Sequence, residues 1–264
     1  MRAGTTMLQD VLATHPQIAL ARMKETDFFI AEKNFDRGAD WYRGQFDPDR
    51  PIRGEISPNY AKMRDFAGVP ARIHAHCPQV RLIYLVRDPV ARAVSQYNHG
   101  WSMGAIQRPP AELVGQRQYV NLIDISRYAH QLDAYLEHFA RDQILVVDFE
   151  SLLKDAQNQL DAILRHIGAE RMQMPPPRRL NDAAELSRVP KPLLRLSQGA
   201  LRPMLTRLFG PKLRGRMRRL LARGPARKPP PFPEPLLRQM RSDLAEDTQR
   251  LRRMTGRDFP YWSI

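Results

Sequence analysis

Short apolar runs alternate along the chain with longer segments whose apolar residues return every three or four positions, and the two periods predict different elements. Residues 5–14 place Met7, Leu8, Val11 and Leu12 on one helical face. The helix is expected to end near Thr14-His15-Pro16, because proline disfavours helix at the residue before it. Residues 18–21 read as a short strand. Residues 38–46 read as a short helix whose aromatic face (Trp41, Tyr42, Phe46) belongs to the core rather than to a ligand. Residues 52–60 read as a strand entering a turn, stopped by Ser57-Pro58-Asn59. A helix is expected over 68–76. Residues 80–86 are nearly all apolar and β-branched or aromatic, which predicts a central parallel strand buried on both faces. A helix follows from Pro89, with Asp88 as its cap. Residues 124–140 show one amphipathic helical stripe, and 143–149 another buried strand. Residues 150–168 read as a helix stopped by Gly168. A last helix covers 234–255, docked by the aromatic residues of 258–262. Strands alternating with helices give an α/β class with a parallel sheet covered on both faces.

Composition narrows the function classes. The chain has 264 residues, enough for one core domain and an appendage. No run approaches eighteen apolar residues, so no membrane span is expected, and no signal peptide is visible. Cys77 is the single cysteine, which excludes an internal disulfide framework and fits a reducing compartment, so a cytoplasmic location is expected. The histidines show no metal-ligand spacing, and no metal is expected. The net charge is +14, and residues 175–228 carry almost all of it: 15 Lys/Arg against Asp182 and Glu185. Pro175–Pro177 and Pro229–Pro231 bracket this segment. The expected division is therefore a core over 1–172, a basic helical segment over 173–232 and a C-terminal helix over 233–264. Leucines interleaved with arginines suit an anionic membrane surface, such as the inner membrane face, or a polyanion. A helical subdomain with its arginines turned outward fits the same pattern. Nucleic acid is the least favoured of these partners.

The candidate chemistry begins at the N-terminal helix. Arg2, Ala3, Gly4, Thr5 and Thr6 stand directly in front of it. Gly4 lets the backbone approach an anion closely. The first N–H groups of the helix and its dipole point at that anion, and the hydroxyls and the guanidinium add donors. Loops of this kind normally follow a buried strand that fixes them. None precedes Arg2 in this sequence, so either the sheet lacks a member or the coding sequence begins further upstream. Lys24-Glu25 before Phe28-Phe29 fits a strand end delivering polar groups to a cleft, and equally a solvated ion pair. Arg87 stands at the carboxyl end of the best strand, where open α/β sheets bind ligands, with Ser95 about two turns into the following helix. Together they could hold a second phosphate. A salt bridge from Arg87 to Asp88 or to a neighbouring element is the other reading. No Gly-x-x-x-x-Gly-Lys-Ser/Thr loop is present, which argues against a kinase-like P-loop enzyme.

These stretches resemble the PAPS-dependent carbohydrate sulfotransferases, in particular the bacterial and heparan-sulfate-type branch. Arg2-Ala-Gly-Thr-Thr6 resembles that family's 5′-phosphosulfate loop, which usually carries Lys where Arg2 stands. Lys24-Glu25 with Phe28-Phe29 resembles its Lys-Glu-x-x-Phe-Phe segment. Gly54-Glu55 with Ser57-Pro58-Asn59-Tyr60 is similar to a further stretch. Arg87-Asp88-Pro89 with Arg92, Ser95, Tyr97 and His99 resembles its 3′-phosphate motif and is the most specific match. The resemblance implies a P-loop NTPase-like three-layer α/β domain with a central parallel sheet, here with a basic helical appendage. It implies sulfuryl transfer from 3′-phosphoadenosine 5′-phosphosulfate (PAPS), without a metal, to a hydroxyl or amine of a glycan or glycolipid. Glu25 takes the role of base, which burial would tune by raising its pKa. Arg2 and His99 stabilise or donate to the transferred group. Arg87, Ser95 and Lys191 join the loop residues in holding the nucleotide, with Asn181 and Arg188 beside Lys191 as further candidates. Two readings outside this one are an inactive protein that keeps the fold and a polyanion-binding protein that uses the basic segment.

Overall fold

A computed structural model describes residues 2–176 and 228–264. Nearly all of the basic segment, with Asn181, Arg188 and Lys191, lies outside the described residues. Two compact units are present. One holds residues 2–93, Asn121–Pro176 and Gln239–Ile264; the other holds Val94–Val120 and, among the described residues, 228–238.

The first unit is built on parallel strands. β1 (Ile18–Leu20) pairs with β2 (Ile52–Gly54), Ile18 opposite Ile52. β3 (Leu82–Val86) pairs with β4 (Ile144–Asp148), Leu82 opposite Ile144 and Val86 opposite Asp148. Successive side chains of a strand point to opposite faces, and the core follows that alternation. Leu82, Tyr84 and Val86 join Ile144 and Val146 in one apolar layer with Phe28, Phe29, Tyr128 and Leu132. Ile83, Leu85, Leu145 and Val147 join the other, with Leu8, Val11, Leu12, Leu160 and Leu164. Helices thus cover both faces: α1 (Thr5–Leu12) and α8 (Ala156–Ile167) on one, α3 (Val69–His76) and α6 (Tyr128–Leu136) on the other. The long helix α9 (Glu234–Thr255) sends Leu251 into the layer of Phe28 and Tyr128. Behind it Trp262 stacks on Phe259 at 4.2 Å and donates from Nε1 to Asp148 Oδ1 at 2.8 Å, so the aromatic docking expected of this tail is present.

Three expectations are corrected. Among the described residues the strands form two separate parallel pairs rather than one continuous sheet. In consequence β3 is not buried on both faces: residues 82–85 are only half-buried, because the edge away from β4 faces a cavity of about 780 Å³. The stripe over 124–140 is broken into α5 (Arg117–Asp124) and α6. The buried Arg92 donates to Ser126 Oγ at 2.7 Å and to Leu122 O at 2.8 Å, which holds the chain turned between the two helices. The helix expected over 150–168 is likewise two, α7 (Phe149–Lys154) and α8, because Asp155 leaves helical geometry with φ −135°. The stop at Gly168 stands, in left-handed backbone at φ 72°.

Candidate active site

Gly4 caps α1 in the left-handed region at φ 87°. A Cβ there would lie 2.4 Å from Cδ2 of Phe149, so sterics as well as backbone require glycine. The first ladder bond of α1 runs from Leu8 N to Gly4 O at 3.1 Å, which leaves the amides of Thr5, Thr6 and Met7 ahead of the helical ladder. Arg2 also has positive φ, 66°, uncommon for a residue with a side chain. The backbone is therefore turned sharply on both sides of the buried Ala3.

Two cations reach this loop from the strand ends. Lys24, beyond β1, donates from Nζ to Thr6 Oγ1 at 3.1 Å. Arg87, directly after β3, donates from Nη1 to Arg2 O at 3.3 Å. Burial, and then the like charge of Arg87, hold the Arg2 guanidinium below its ordinary pKa. Three positive groups thus gather at the start of α1, a donor set that an anion would relieve.

Arg87 takes part in both arrangements that the sequence left open. Besides touching the loop, its Nε lies 3.5 Å from Glu150 Oε1 as an ion pair without making a hydrogen bond, so a buried donor stays unsatisfied. Its guanidinium sits 5.2 Å over the Phe149 ring, and its amide donates to Tyr128 OH at 3.3 Å. Burial, followed by the neighbouring Asp148, pushes Glu150 up to about 7. Asp88 is engaged elsewhere. Oδ1 accepts from Ala91 N at 2.8 Å, which caps α4 (Pro89–Ser102) as expected, and Oδ2 accepts from Ser263 N.

Glu25 is exposed and follows Lys24 in sequence. The residues that follow it are bolted down. Thr26 Oγ1 and Ser57 Oγ donate to Glu55 Oε2, the latter at 2.9 Å. Tyr42 OH at 3.0 Å and Tyr60 OH at 2.8 Å donate to Oε1. Burial raises the Glu55 pKa, and these four bonds oppose the rise. Asp27 is held in left-handed backbone at φ 46°, its carboxylate gripped by Asn59 Nδ2 at 2.9 and 3.1 Å and by Lys33 Nζ. Within this cluster, burial acts on the carboxylate of Glu55.

Of the residues singled out in the sequence, Arg2, Ala3, Gly4, Thr5, Thr6 and Arg87 come together, with Lys24 bonded to the loop and Glu25 next to it in sequence. Ser95 and His99 lie one turn apart on α4, half-buried, in the second unit. Lys191 lies outside the described residues. Sequence reasoning did not single out Phe149 and Glu150, which follow β4, or the hydroxyls around Glu55. The Ser57–Tyr60 part of that cluster was visible as hydroxyls two and five residues from Glu55. Thr26 and Tyr42 come from distant segments and left no local signal. Among the described residues no group of three or more His, Cys, Asp or Glu could hold a metal ion, and no helix is long and apolar enough to cross a membrane.

A glycine loop opening a helix at the carboxyl ends of parallel strands, with helices on both faces, is the arrangement of a P-loop-like α/β fold. The family follows from comparison: residues 1–185 match the sulfotransferase domain, and the chain belongs to that family. It is 28% identical over 269 residues to human heparan sulfate glucosamine 3-O-sulfotransferase 6, covering 98% of this chain and 70% of that protein. It is 29% identical to the mouse 3-O-sulfotransferase 3B1, covering 98% of this chain and 62% of the relative. The crystal structure of a sulfotransferase from Alicyclobacillus acidocaldarius shares the fold, with a TM-score of 0.65 at 20% identity over 100% of this chain and 95% of that one.

Proposed function

We propose that the protein moves the sulfuryl group of PAPS onto a hydroxyl or amine of a glycan or glycolipid. The observation that carries this reading is the meeting of Arg87 with the loop: Nη1 lies 3.3 Å from the Arg2 carbonyl. A residue assigned to the 3′-phosphate and a loop assigned to the 5′-phosphosulfate therefore lie side by side, as the two ends of one nucleotide require. Heparan sulfate, named for the relatives, supports the glycan class of acceptor.

In this reading the amides at the start of α1, with Arg2 and Lys24, bind the 5′-phosphosulfate and take up the charge that develops on the departing phosphate. Arg87, joined by Ser95, holds the 3′-phosphate and selects this nucleotide over ATP. Glu25 accepts the acceptor's proton as its oxygen or nitrogen attacks sulfur and the bond from sulfur to the phosphate oxygen breaks. The products are the sulfated acceptor and 3′-phosphoadenosine 5′-phosphate (PAP). His99 donates to the transferred group, and Lys191 joins the nucleotide site. An exposed Glu25 suits a large acceptor arriving from solvent and closing over it, since burial of a carboxylate raises its proton affinity toward that of a working base. The basic segment, in this reading, holds a cytoplasmic enzyme against an anionic acceptor or the inner membrane face.

Transfer from radiolabelled PAPS onto polysaccharide and lipid extracts tests the proposal. Label is expected in a glycan-containing fraction with the native protein and in none with Glu25→Gln. Equal labelling by both proteins would contradict the assignment of the base.

A further inference from the structure

Glu150 lies in the first turn of α7, just beyond β4, and both of its carboxylate oxygens meet the turn that carries Arg87. Oε2 accepts from the amide of Asp88 at 3.2 Å, which fixes the backbone next to Arg87. Oε1 lies 3.5 Å from Arg87 Nε and pairs charge without a hydrogen bond, so Nε stays a buried donor without a partner. The other charged and titratable groups around this pair are engaged. At the end of β3, Asp88 accepts from Ala91 N and Ser263 N. At the end of β4, Asp148 accepts from Ser151 and from Trp262 Nε1. On α6, the Tyr128 hydroxyl meets the Arg87 amide, and burial raises its pKa, which keeps it protonated. On α7 itself, Lys154 sits over the Tyr261 ring at 3.6 Å. Arg2 adds a like charge on the loop side of Arg87. Among the described residues, Arg87 is the cation paired with Glu150.

We infer that Glu150 is a positioning residue for Arg87 that yields the guanidinium and takes a proton from solvent when a 3′-phosphate binds, an inference that rests on the sulfotransfer reading. Before nucleotide binds, the carboxylate and Arg87 balance each other's charge. A 3′-phosphate brings about two negative charges to the same guanidinium. Glu150 is then left half-buried, its cation shared with a new anion and Asp148 still beside it. A carboxylate so placed binds a proton rather than stay ionised. Burial, and then Asp148, already raise its pKa to about 7, so the nucleotide has only a small further shift to supply. Once neutral, the carboxyl group can still accept from Asp88 N, and the turn keeps its place. The sign of the pH effect identifies the residue. A phosphate's own second ionisation, near ~6, tightens binding as pH rises. Glu150 does the opposite, because above pH 7 the proton must be supplied for the nucleotide to bind.

The test is calorimetric titration of the native protein and of Glu150→Gln with PAP and with adenosine 5′-phosphosulfate, at pH 7 and pH 8, in two buffers of different protonation enthalpy. Glutamine keeps an acceptor for Asp88 N and cannot ionise. The native protein is expected to bind PAP about fivefold more weakly at pH 8 than at pH 7, and to take up close to one proton at pH 8. Glu150→Gln is expected to show neither effect and to bind PAP about fivefold more tightly than the native protein at pH 8. A gain in affinity is not what a damaged fold produces. Adenosine 5′-phosphosulfate, without the 3′-phosphate, should bind both proteins alike. The same pH dependence in both proteins, or an equal gain for both nucleotides, would overturn the inference. If Glu150→Gln does not fold, the native protein decides. Proton uptake with PAP alone supports the inference, and uptake with both nucleotides or with neither overturns it. Absence of PAP binding by either protein at pH 7 would instead refute the sulfotransfer reading, and the inference with it, so the two failures are separate results.

Discussion

Glu25 and Glu55 belong to one loop system and have opposite surroundings. Glu25 stands exposed to solvent. Glu55 is drawn into the protein, and four hydroxyls, from Thr26, Ser57, Tyr42 and Tyr60, converge on its two oxygens. A carboxylate offers about four acceptor sites, so Glu55 has none left for a proton from an acceptor. It is a structural anchor whose donors fix Thr26, and through Thr26 the place of Glu25. With Glu25 as the proposed base, the comparison teaches that burial and a raised pKa do not by themselves mark the working group. What the deep carboxylate provides is a rigid floor, and what the exposed one provides is access.

The sharpest way to break this comparison is to exchange the two roles by mutation. Glu25→Gln is expected to lower kcat by about 10²–10⁴-fold while leaving PAP affinity within a factor of two. Retained turnover would show that the exposed carboxylate is not the base. Glu55→Ala should do the reverse. It strands four buried hydroxyl donors and is expected to cost about 2–4 kcal/mol of unfolding free energy in urea titrations. A fall in kcat with unchanged stability would make Glu55 a chemical participant instead. Arg87→Ala removes a charge-assisted contact and is expected to weaken PAP binding by about 10- to 150-fold in calorimetry. The smallest effect concerns Glu150. Its folded pKa of about 7 lies above the ordinary 4.5, so it binds a proton more readily folded than unfolded. The stability it contributes is full below about pH 4.5 and lost as pH rises through 7. Glu150→Gln should therefore flatten the decline in Tm between pH 5 and pH 8, by about 2 °C. An unaltered slope would place the titration elsewhere.

Much of the fold was legible because local rules coincide with tertiary ones. Asp88-Pro89 is both a cap with a favourable first turn and the end of a strand, and the helix begins there. Gly168 stops α8 because left-handed backbone is needed. The breaks at Ser126–Arg127 and Asp155 were not legible. The first depends on Arg92, whose guanidinium reaches across from α4 to Ser126 Oγ and Leu122 O. The apolar stripe over 124–140 carries no trace of that partner. The run over 80–86 correctly indicates a strand, yet hydropathy alone cannot say whether a neighbouring strand is present, and the half-buried residues of β3 reflect the cavity beside it. In the site, the loop and Arg87 were legible because glycine, hydroxyl and arginine stand at fixed places around strand ends. Lys24 was visible as a residue, but its bond to Thr6 depends on how β1 is placed beside α1. The Glu55 cluster draws on three separate segments and becomes a site only when they fold together.

The central claim is that the loop at Arg2–Thr6 and Arg87 grip one bisphosphorylated adenosine. It is tested most directly by calorimetric titration of the protein and of Arg87→Ala with PAP and with adenosine 5′-phosphosulfate, which lacks the 3′-phosphate. The account predicts that the native protein prefers PAP and that Arg87→Ala loses this preference while binding the second nucleotide unchanged. Equal losses for both nucleotides, or undiminished PAP binding by the variant, would contradict it.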